Sequence, residues 1–229
     1  MVTEVTRHDV QRLLDEAAQL VDVLDAKEYE DSHLLGAVNI PLPKLAEEAP
    51  HLLEQPRAII TYCYDSLCDM SPRGAGRLES LGFTDVYDYV ASKVDWLGAG
   101  LPFEGTRADR PHLATLADPA PTCLLDEKTS DVLGRVGDAS LCLVVNDRRV
   151  VLGLVRAEAL AVAGLPIADV MQEAPKTFRP HVSASEMAQQ LDDSPQPWLL
   201  VTNLDGTLVG IADPDRVRQA AHDLRAHAG

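Results

Sequence analysis

Cys63 follows the apolar run Ala58-Ile59-Ile60-Thr61-Tyr62, which reads as a central β-strand. Eight residues on, Ser71-Pro72 has the form of a helix N-cap with proline at the first helical position, and Gly82 after Leu81 closes that helix. A cysteine between a buried parallel strand and a helix N-terminus lies where open α/β sheets place their sites. Unpaired N–H groups converge there and favour a thiolate, which makes the cysteine a nucleophile near neutral pH. The same position also suits a small buried hydrophobe. The loop itself is Tyr64, Asp65, Ser66, Leu67, Cys68 and Asp69. Asp65 and Asp69 raise a nearby thiolate's pKa and repel an anionic substrate. Cys68 stands in reach as a resolving thiol, able to attack an oxidised Cys63 and close a disulfide.

The elements that must hold this loop alternate. Val10, Leu13, Leu14 and Ala17 share one face of a helix within Thr6 to Gln19. Leu20 to Leu24 reads as a buried strand, and Asp25 with Glu28 as the two ends of a capping box. Gly36 to Pro41 reads as a turn into a brief strand, and Asp85 to Val90 as a further strand. This order predicts an α/β fold, a mainly parallel sheet with helices on both faces, over residues 1–105. The polar stretch Gly105 to Pro111 marks a boundary, with residues 106–113 expected as a linker.

Composition limits the partners. The formal charge is −16, from 20 Lys+Arg against 36 Asp+Glu, and such a surface repels nucleic-acid phosphates and anionic lipids. Met1 to Val10 carries Glu4, Arg7 and Asp9 and has no apolar run of signal type, and no stretch is long enough to span a membrane. Four cysteines scattered over 229 residues are not a disulfide framework. The expectation is a bacterial-type cytoplasmic protein with reduced thiols and no metal. Cys123 and Cys142, on apolar strands, are expected to be packing residues.

Three blocks carry a resemblance over the first half. Leu20-Val21-Asp22-Val23, Glu28-Tyr29 and Ser32-His33-Leu34-Leu35-Gly36-Ala37-Val38-Asn39-Ile40-Pro41 form the first. Tyr62-Cys63 with its loop and Ser71 to Gly82-Phe83 is the second, and Asp95-Trp96-Leu97-Gly98-Ala99-Gly100-Leu101-Pro102 the third. In this order they resemble the rhodanese family. That resemblance implies a sulfurtransferase in which Cys63 carries sulfur as a persulfide, cradled by loop amides and passed to a nucleophilic acceptor. It also implies that His33 and Trp96 are structural. Active members commonly have arginine where Cys68 stands, and often where Leu24 stands. The related phosphatases need a phosphate-binding arginine that this loop lacks. A neutral or protein-bound persulfide donor, or a cationic acceptor, suits the loop better than thiosulfate.

Residues 114–229 repeat themselves. Thr122 recurs as Thr177, Val145 as Val201 and Gly153 as Gly210, a period of about 56 residues that marks two copies of one supersecondary unit, 114–166 and 167–229. Asp205-Gly206 is a hairpin turn signal, with Asp147-Arg148-Arg149 as its weaker counterpart. Val217, Ala220, Ala221 and Leu224 make an amphipathic helix of Arg216 to His227. Ala168-Asp169-Val170-Met171, Lys176-Thr177, and Leu199 through Asp205-Gly206 to Ile211 resemble a tandem CBS domain pair, an α+β unit. The resemblance implies a homodimer and a cleft for an adenosine nucleotide or S-adenosylmethionine. The hydroxyl and carboxylate that such ligands usually meet are replaced by Arg156 and Ala159 in one copy and by Asp213 and Arg216 in the other. Arg156, Asp213 and Arg216 are the remaining candidates for a ribose or phosphate, and a scaffold without a ligand is the alternative. For the whole chain the alternatives to sulfur transfer are a non-catalytic sensing or docking protein and a Cys63/Cys68 redox switch.

Overall fold

The computed structural model describes residues 2–137, 139–162, 164–173 and 176–227. Met1 and Gly229, the outer ends of the expected domains, lie outside these. The chain divides into two compact units, Met1–Arg110 and Pro111–Gly229.

The first unit is built on five parallel strands in the order β1-β6-β5-β2-β4: β1 (Thr3–Val5), β2 (Gln19–Asp22), β4 (Val38–Asn39), β5 (Ile59–Tyr62) and β6 (Val86–Tyr89). A short antiparallel pair, β3 (His33–Leu34) and β7 (Phe103–Glu104), lies beside the sheet. β5 and β2 are buried along their whole length, as near-continuous apolar runs in a parallel sheet must be. On one face α3 (Leu45–Leu52) and α4 (Met70–Ser80) cover Val21, Val23, Ile59 and Val86. On the other, α1 (Arg7–Asp15) and α5 (Ser92–Gly98) enclose Leu20, Ile60, Tyr62, Tyr89 and Trp96, and α2 (Ala26–Asp31) leads into β3. The α/β expectation holds for this unit.

Local signals were read with two corrections. Asp25 caps α2 by accepting the Glu28 N–H, and Thr6 closes a capping box with Asp9 on α1. Ser71, however, is not an N-cap: α4 begins at Met70, so Ser71 and Pro72 fall inside its first turn. The Ser71 side chain is buried and faces Cys63 rather than the helix amides. The linker is also shorter than residues 106–113. Thr106 and Arg107 donate backbone bonds to Glu30 and Asp31 in the first unit, while Leu113 is fully buried in the second.

The second unit contains two four-stranded sheets of equivalent topology. The elements are α6 (Leu113–Leu116), β8 (Ala117–Asp118), β9 (Thr122–Cys123), α7 (Thr129–Val136), β10 (Leu141–Val145), β11 (Val151–Arg156), α8 (Ala157–Leu160), α9 (Ile167–Val170), β12 (Gln172–Glu173), β13 (Thr177–Phe178), α10 (Ala184–Asp193), β14 (Leu199–Thr202), β15 (Leu208–Ala212) and α11 (Pro214–His227). The sheets run β12-β11-β10-β9 and β13-β14-β15-β8. In each, a parallel pair is followed by two antiparallel pairings. Gly206 turns at φ 81° as its sequence suggested, and Asn146 supports the first turn by accepting the Arg148 and Val150 N–H groups. Across the two hairpins Val151 N–H donates to Gly206 O and Leu208 N–H to Arg149 O, a reciprocal pair.

The repeat boundary needs correction. β8, expected in the first copy, is the edge strand of the second sheet, and β12, expected in the second copy, edges the first. Gly153 and Gly210 are the reason at the contact itself. A Cβ on Gly210 would stand 2.5 Å from Asp118 O, and one on Gly153 would collide with Gln172 O. The recurring glycines therefore mark where each edge strand lies against its partner.

Candidate active site

Cys63 ends β5 and is fully buried. Its backbone is clamped from the start of α5: its N–H donates to Ser92 Oγ at 3.1 Å, its carbonyl accepts Lys93 N–H at 3.3 Å, and Tyr64 O accepts Val94 N–H at 3.0 Å. Ser92 achieves this at φ 56°, a left-handed conformation unusual for a non-glycine residue, with its hydroxyl donating to Tyr89 O at 2.9 Å. Four groups meet Cys63 Sγ: Cys68 O and Ser71 Oγ at 3.4 Å, Ser92 Oγ at 3.7 Å and Asp65 O at 3.9 Å.

The loop expected to offer amides thus turns two carbonyls toward the sulfur. Asp65 organises this, its carboxylate accepting Leu67 N–H at 3.0 Å and its carbonyl accepting Cys68 N–H at 3.2 Å. Burial pushes the Cys63 thiol up, Cys68 adds to the rise, and the Ser71 and Ser92 hydroxyls oppose it. This conformation holds a protonated thiol. Leu67 projects at the loop tip with 92% exposure, and Tyr64 is half exposed. Asp69 pairs with Arg73 at 3.4 Å on the surface, so its charge on the loop is partly offset.

Two clefts flank the loop. The larger, about 550 Å³, is lined by Glu4, Thr6, Arg7, His8, Ser66 and Asp95 among others. The smaller, about 240 Å³, reaches Cys68, Asp69, Ser71 and Asp88, with Glu4 and Ser66 shared between the two.

Beneath the site Lys93 and Asp22 form a buried ion pair, Nζ to Oδ2 3.7 Å, at 1% and 0% side-chain exposure. Lys93 also donates to Glu28 O, and Asp22 Oδ1 accepts Leu24 N–H. Burial raises the Asp22 carboxyl and lowers the Lys93 amine, each opposed by the other's charge. Asp88, in β6, is 2% exposed, and its Oδ1 has no hydrogen-bond partner. Neither pair nor carboxylate was singled out from sequence, although a carboxylate inside a central strand was a visible signal. Ser92 left none, because its role depends on a backbone angle.

His33 stacks on Tyr29 at 3.7 Å and its Nδ1 lies 2.7 Å from Tyr29 O, while Trp96 Nε1 donates to Pro102 O. Both are placed as structural residues. In the second unit, Asp213 lines a cleft of about 600 Å³ with Asp118, Pro121, Ser140 and Trp198. Arg216 joins its rim through an ion pair with Asp118 at 3.0 Å. Arg156 is not brought there; its Nε donates to Gln172 Oε1. Cys123 and Cys142 are both buried in that unit's first core.

Comparison with known proteins bears on the first unit. The Rhodanese-like domain family matches residues 6–99, and a rhodanese-like domain occupies that segment. A helix-turn-helix-type transcriptional regulator of Mycobacterium tuberculosis is 35% identical over 85 residues, 37% of this chain and 37% of its own. A putative sulfur carrier protein of Bacillus subtilis is 32% identical over 84 residues, covering 37% and 44%. A thiosulfate sulfurtransferase of Coxiella burnetii is 27% identical over 77 residues, covering 34% and 69%. The chain therefore spans less than half of the first two. Among solved structures, a Bacillus halodurans protein aligns over 45% of this chain and 77% of its own (28% identity, TM-score 0.43). CBSX2 in complex with AMP aligns over 50% and 98% (19% identity, TM-score 0.42).

Proposed function

We propose that this protein is a sulfurtransferase in which Cys63 carries sulfur as a persulfide between a donor and a nucleophilic acceptor. The observation that carries the reading is Cys63 itself, at the strand-to-helix loop of a rhodanese-like domain with two hydroxyls at 3.4 and 3.7 Å from its sulfur. Sulfur transfer needs the thiolate to attack a sulfane sulfur and the resulting persulfide to be attacked in turn. Because Cys63 is buried, the loop from Tyr64 to Asp69 must move aside for donor and acceptor, and the same movement frees its amides to face an anion. Carboxylates at Glu4, Asp65 and Asp69 favour a neutral persulfide donor, or a protein-bound one, over thiosulfate, and they suit a cationic acceptor. The names of the sulfur carrier and the sulfurtransferase among the relatives point the same way.

Intact-mass spectrometry after incubation with a small-molecule persulfide and with thiosulfate is the test. Wild type is expected to gain one sulfur atom from the persulfide, and Cys63→Ser to gain none. Failure of every donor to load Cys63 rejects the proposal.

Cys68 supports a second reading, a redox switch, because its carbonyl lies 3.4 Å from Cys63 Sγ and its side chain packs against the same core as Cys63. Only the switch needs both thiols, so Cys68→Ser separates the two. For the second unit we propose a homodimerising scaffold of cytoplasmic CBS type. Its Asp213–Trp198 cleft is suited to an adenosine nucleotide or S-adenosylmethionine, with Trp198 for the base and Asp213 for the ribose.

A further inference from the structure

A carboxylate oxygen buried without a hydrogen bond is unfavourable, and a cation brought against it restores what burial removed. Asp88 Oδ1 is such an atom: the residue is 2% exposed and this oxygen has no hydrogen-bond partner. Asp88 shares a sheet face with Val86, two residues earlier in β6, which packs in the core under α3 and α4. α4 begins at Met70, and there Asp88, Ser71 and Pro72 line the smaller cleft.

Glu4 lines the same cleft from β1 and is the register partner of Asp88. Adjacent strands lie about 4.8 Å apart and paired residues face the same way, so the two carboxylates are neighbours. Asp69 adds a third at the rim, paired outward with Arg73 at 3.4 Å. Thr61, the register partner of Asp88 on β5, directs its hydroxyl to Ser71 O and Tyr87 O at 3.1 and 3.2 Å. Among the described residues, no lysine, arginine or histidine lines the cleft, and no three side chains of metal-binding type converge tightly enough to hold an ion. These walls suit an organic cation. At about 240 Å³ the cleft falls below the ~300–1,000 Å³ of pockets for drug-sized ligands, so that cation is small.

We infer that this cleft seats the ammonium of the sulfur acceptor between Asp88 and Glu4, and that the acceptors are small aminothiols. The inference rests on the sulfurtransferase reading above and names its acceptor. Cys68 and Ser71 line the cleft and also touch Cys63, with Cys68 O and Ser71 Oγ each 3.4 Å from Sγ. An ammonium held against Asp88 therefore brings a thiol on the same short molecule within reach of Cys63 once the loop moves aside. The acceptor thiolate attacks the outer sulfur of Cys63–S–SH. The S–S bond breaks, Cys63–S⁻ leaves with the electron pair, and the acceptor departs as R–S–SH. Cys63 then regains from solvent the proton that the acceptor thiol released there, so no oxidant or reductant is consumed.

The first test needs no sulfur transfer. S-methylcysteamine, whose sulfur is capped, is titrated into the isotope-labelled full chain beside its neutral analogue S-methylmercaptoethanol, with amide chemical shifts as the readout. The amine alone is expected to shift Glu4, Ser66 and Asp88, and Asp88→Asn to weaken its binding about tenfold. Equal shifts from the amine and the neutral analogue overturn the inference. The second test follows transfer from persulfide-loaded Cys63 and takes kcat/KM for cysteamine over that for mercaptoethanol. Intrinsic thiol reactivity cancels when this ratio is compared between wild type and variant. The ratio is expected to fall about tenfold in Asp88→Asn and about threefold in Glu4→Gln. Glu4 is exposed on an edge strand, so Glu4→Gln decides the matter if Asp88→Asn does not fold. A ratio unchanged in the variants that fold overturns the inference while leaving the sulfurtransferase reading in place. An acetylated Cys-Lys peptide serves as a third acceptor: if the variants slow it and spare cysteamine, the ammonium belongs to a protein acceptor and the small-molecule class is overturned. Amine binding in the cleft with no loading of Cys63 upholds the cation site and rejects the sulfurtransferase reading.

Discussion

Replacing Lys93 by methionine keeps most of the side-chain volume but leaves Asp22 buried without its cation. Removing one partner of a buried pair costs about 3–5 kcal/mol, mostly the penalty of the abandoned charge. Here the geometry supports the full range, since both side chains are at most 1% exposed and Asp22 Oδ2 has no hydrogen bond to replace the ammonium. The sign with pH follows from Asp22. Burial already raises its carboxyl and Lys93 is the largest influence opposing that rise, so Lys93→Met raises it further. A carboxyl with a raised folded-state pKa favours the folded state below the unfolded value of 3.8, and that contribution is lost as pH climbs through the raised value. The deficit of Lys93→Met is therefore large at neutral pH and shrinks on acidification. Adding Asp22→Asn removes the charge while keeping an acceptor for Leu24 N–H, and is expected to restore stability to within about 1–2 kcal/mol of wild type. Urea titration followed by Trp96 fluorescence, in a Trp198→Phe background, reads the first unit alone. A Lys93→Met loss under about 1 kcal/mol at neutral pH, or one that does not change with pH, refutes the reasoning.

Ser92 yields an ordering: Ser92→Ala leaves Cys63 N–H without an acceptor and keeps the left-handed backbone, whereas Ser92→Gly relieves that backbone. Glycine is expected to be less damaging than alanine by about 1 kcal/mol in the same titration. Gly210→Ala forces a Cβ to within 2.5 Å of Asp118 O and is expected to cost about 1–3 kcal/mol, with hydrogen exchange rising in Ala117–Asp118 and Leu208–Ala212.

Much of the fold was legible because its signals are local. The buried strand before Cys63, the cap at Asp25 and the Gly206 turn each depend on a few adjacent residues. The repeat showed for a related reason: each glycine must let an edge strand approach, so both copies keep it. The exchange of edge strands did not show, because pairing partners far apart in sequence leave no short-range pattern. At the site, Cys63 was evident from its position and its loop from the residues around it. What the loop backbone does was hidden, since nothing in Tyr64 to Asp69 says whether amides or carbonyls face the sulfur. Ser71 was seen but given the wrong task, because its N-cap pattern was read without the thiol beside it. Arg156 was matched to Asp213 by the repeat, yet its partner lies on β12 rather than in the cleft.

The crossed edge strands also govern when the second unit can exist during synthesis. Asp118 pairs with Ile211, so one of the earliest strands of that unit to leave the ribosome waits for one of its last. Its partner sheet closes sooner, at β12, while the first unit is complete before either. A nascent chain stalled before Leu208 therefore carries a finished first unit and, in the second, an unpaired strand edge, which chaperones and proteases can engage. The two copies of the repeat are thus bound into one folding event, and a cut between them severs both.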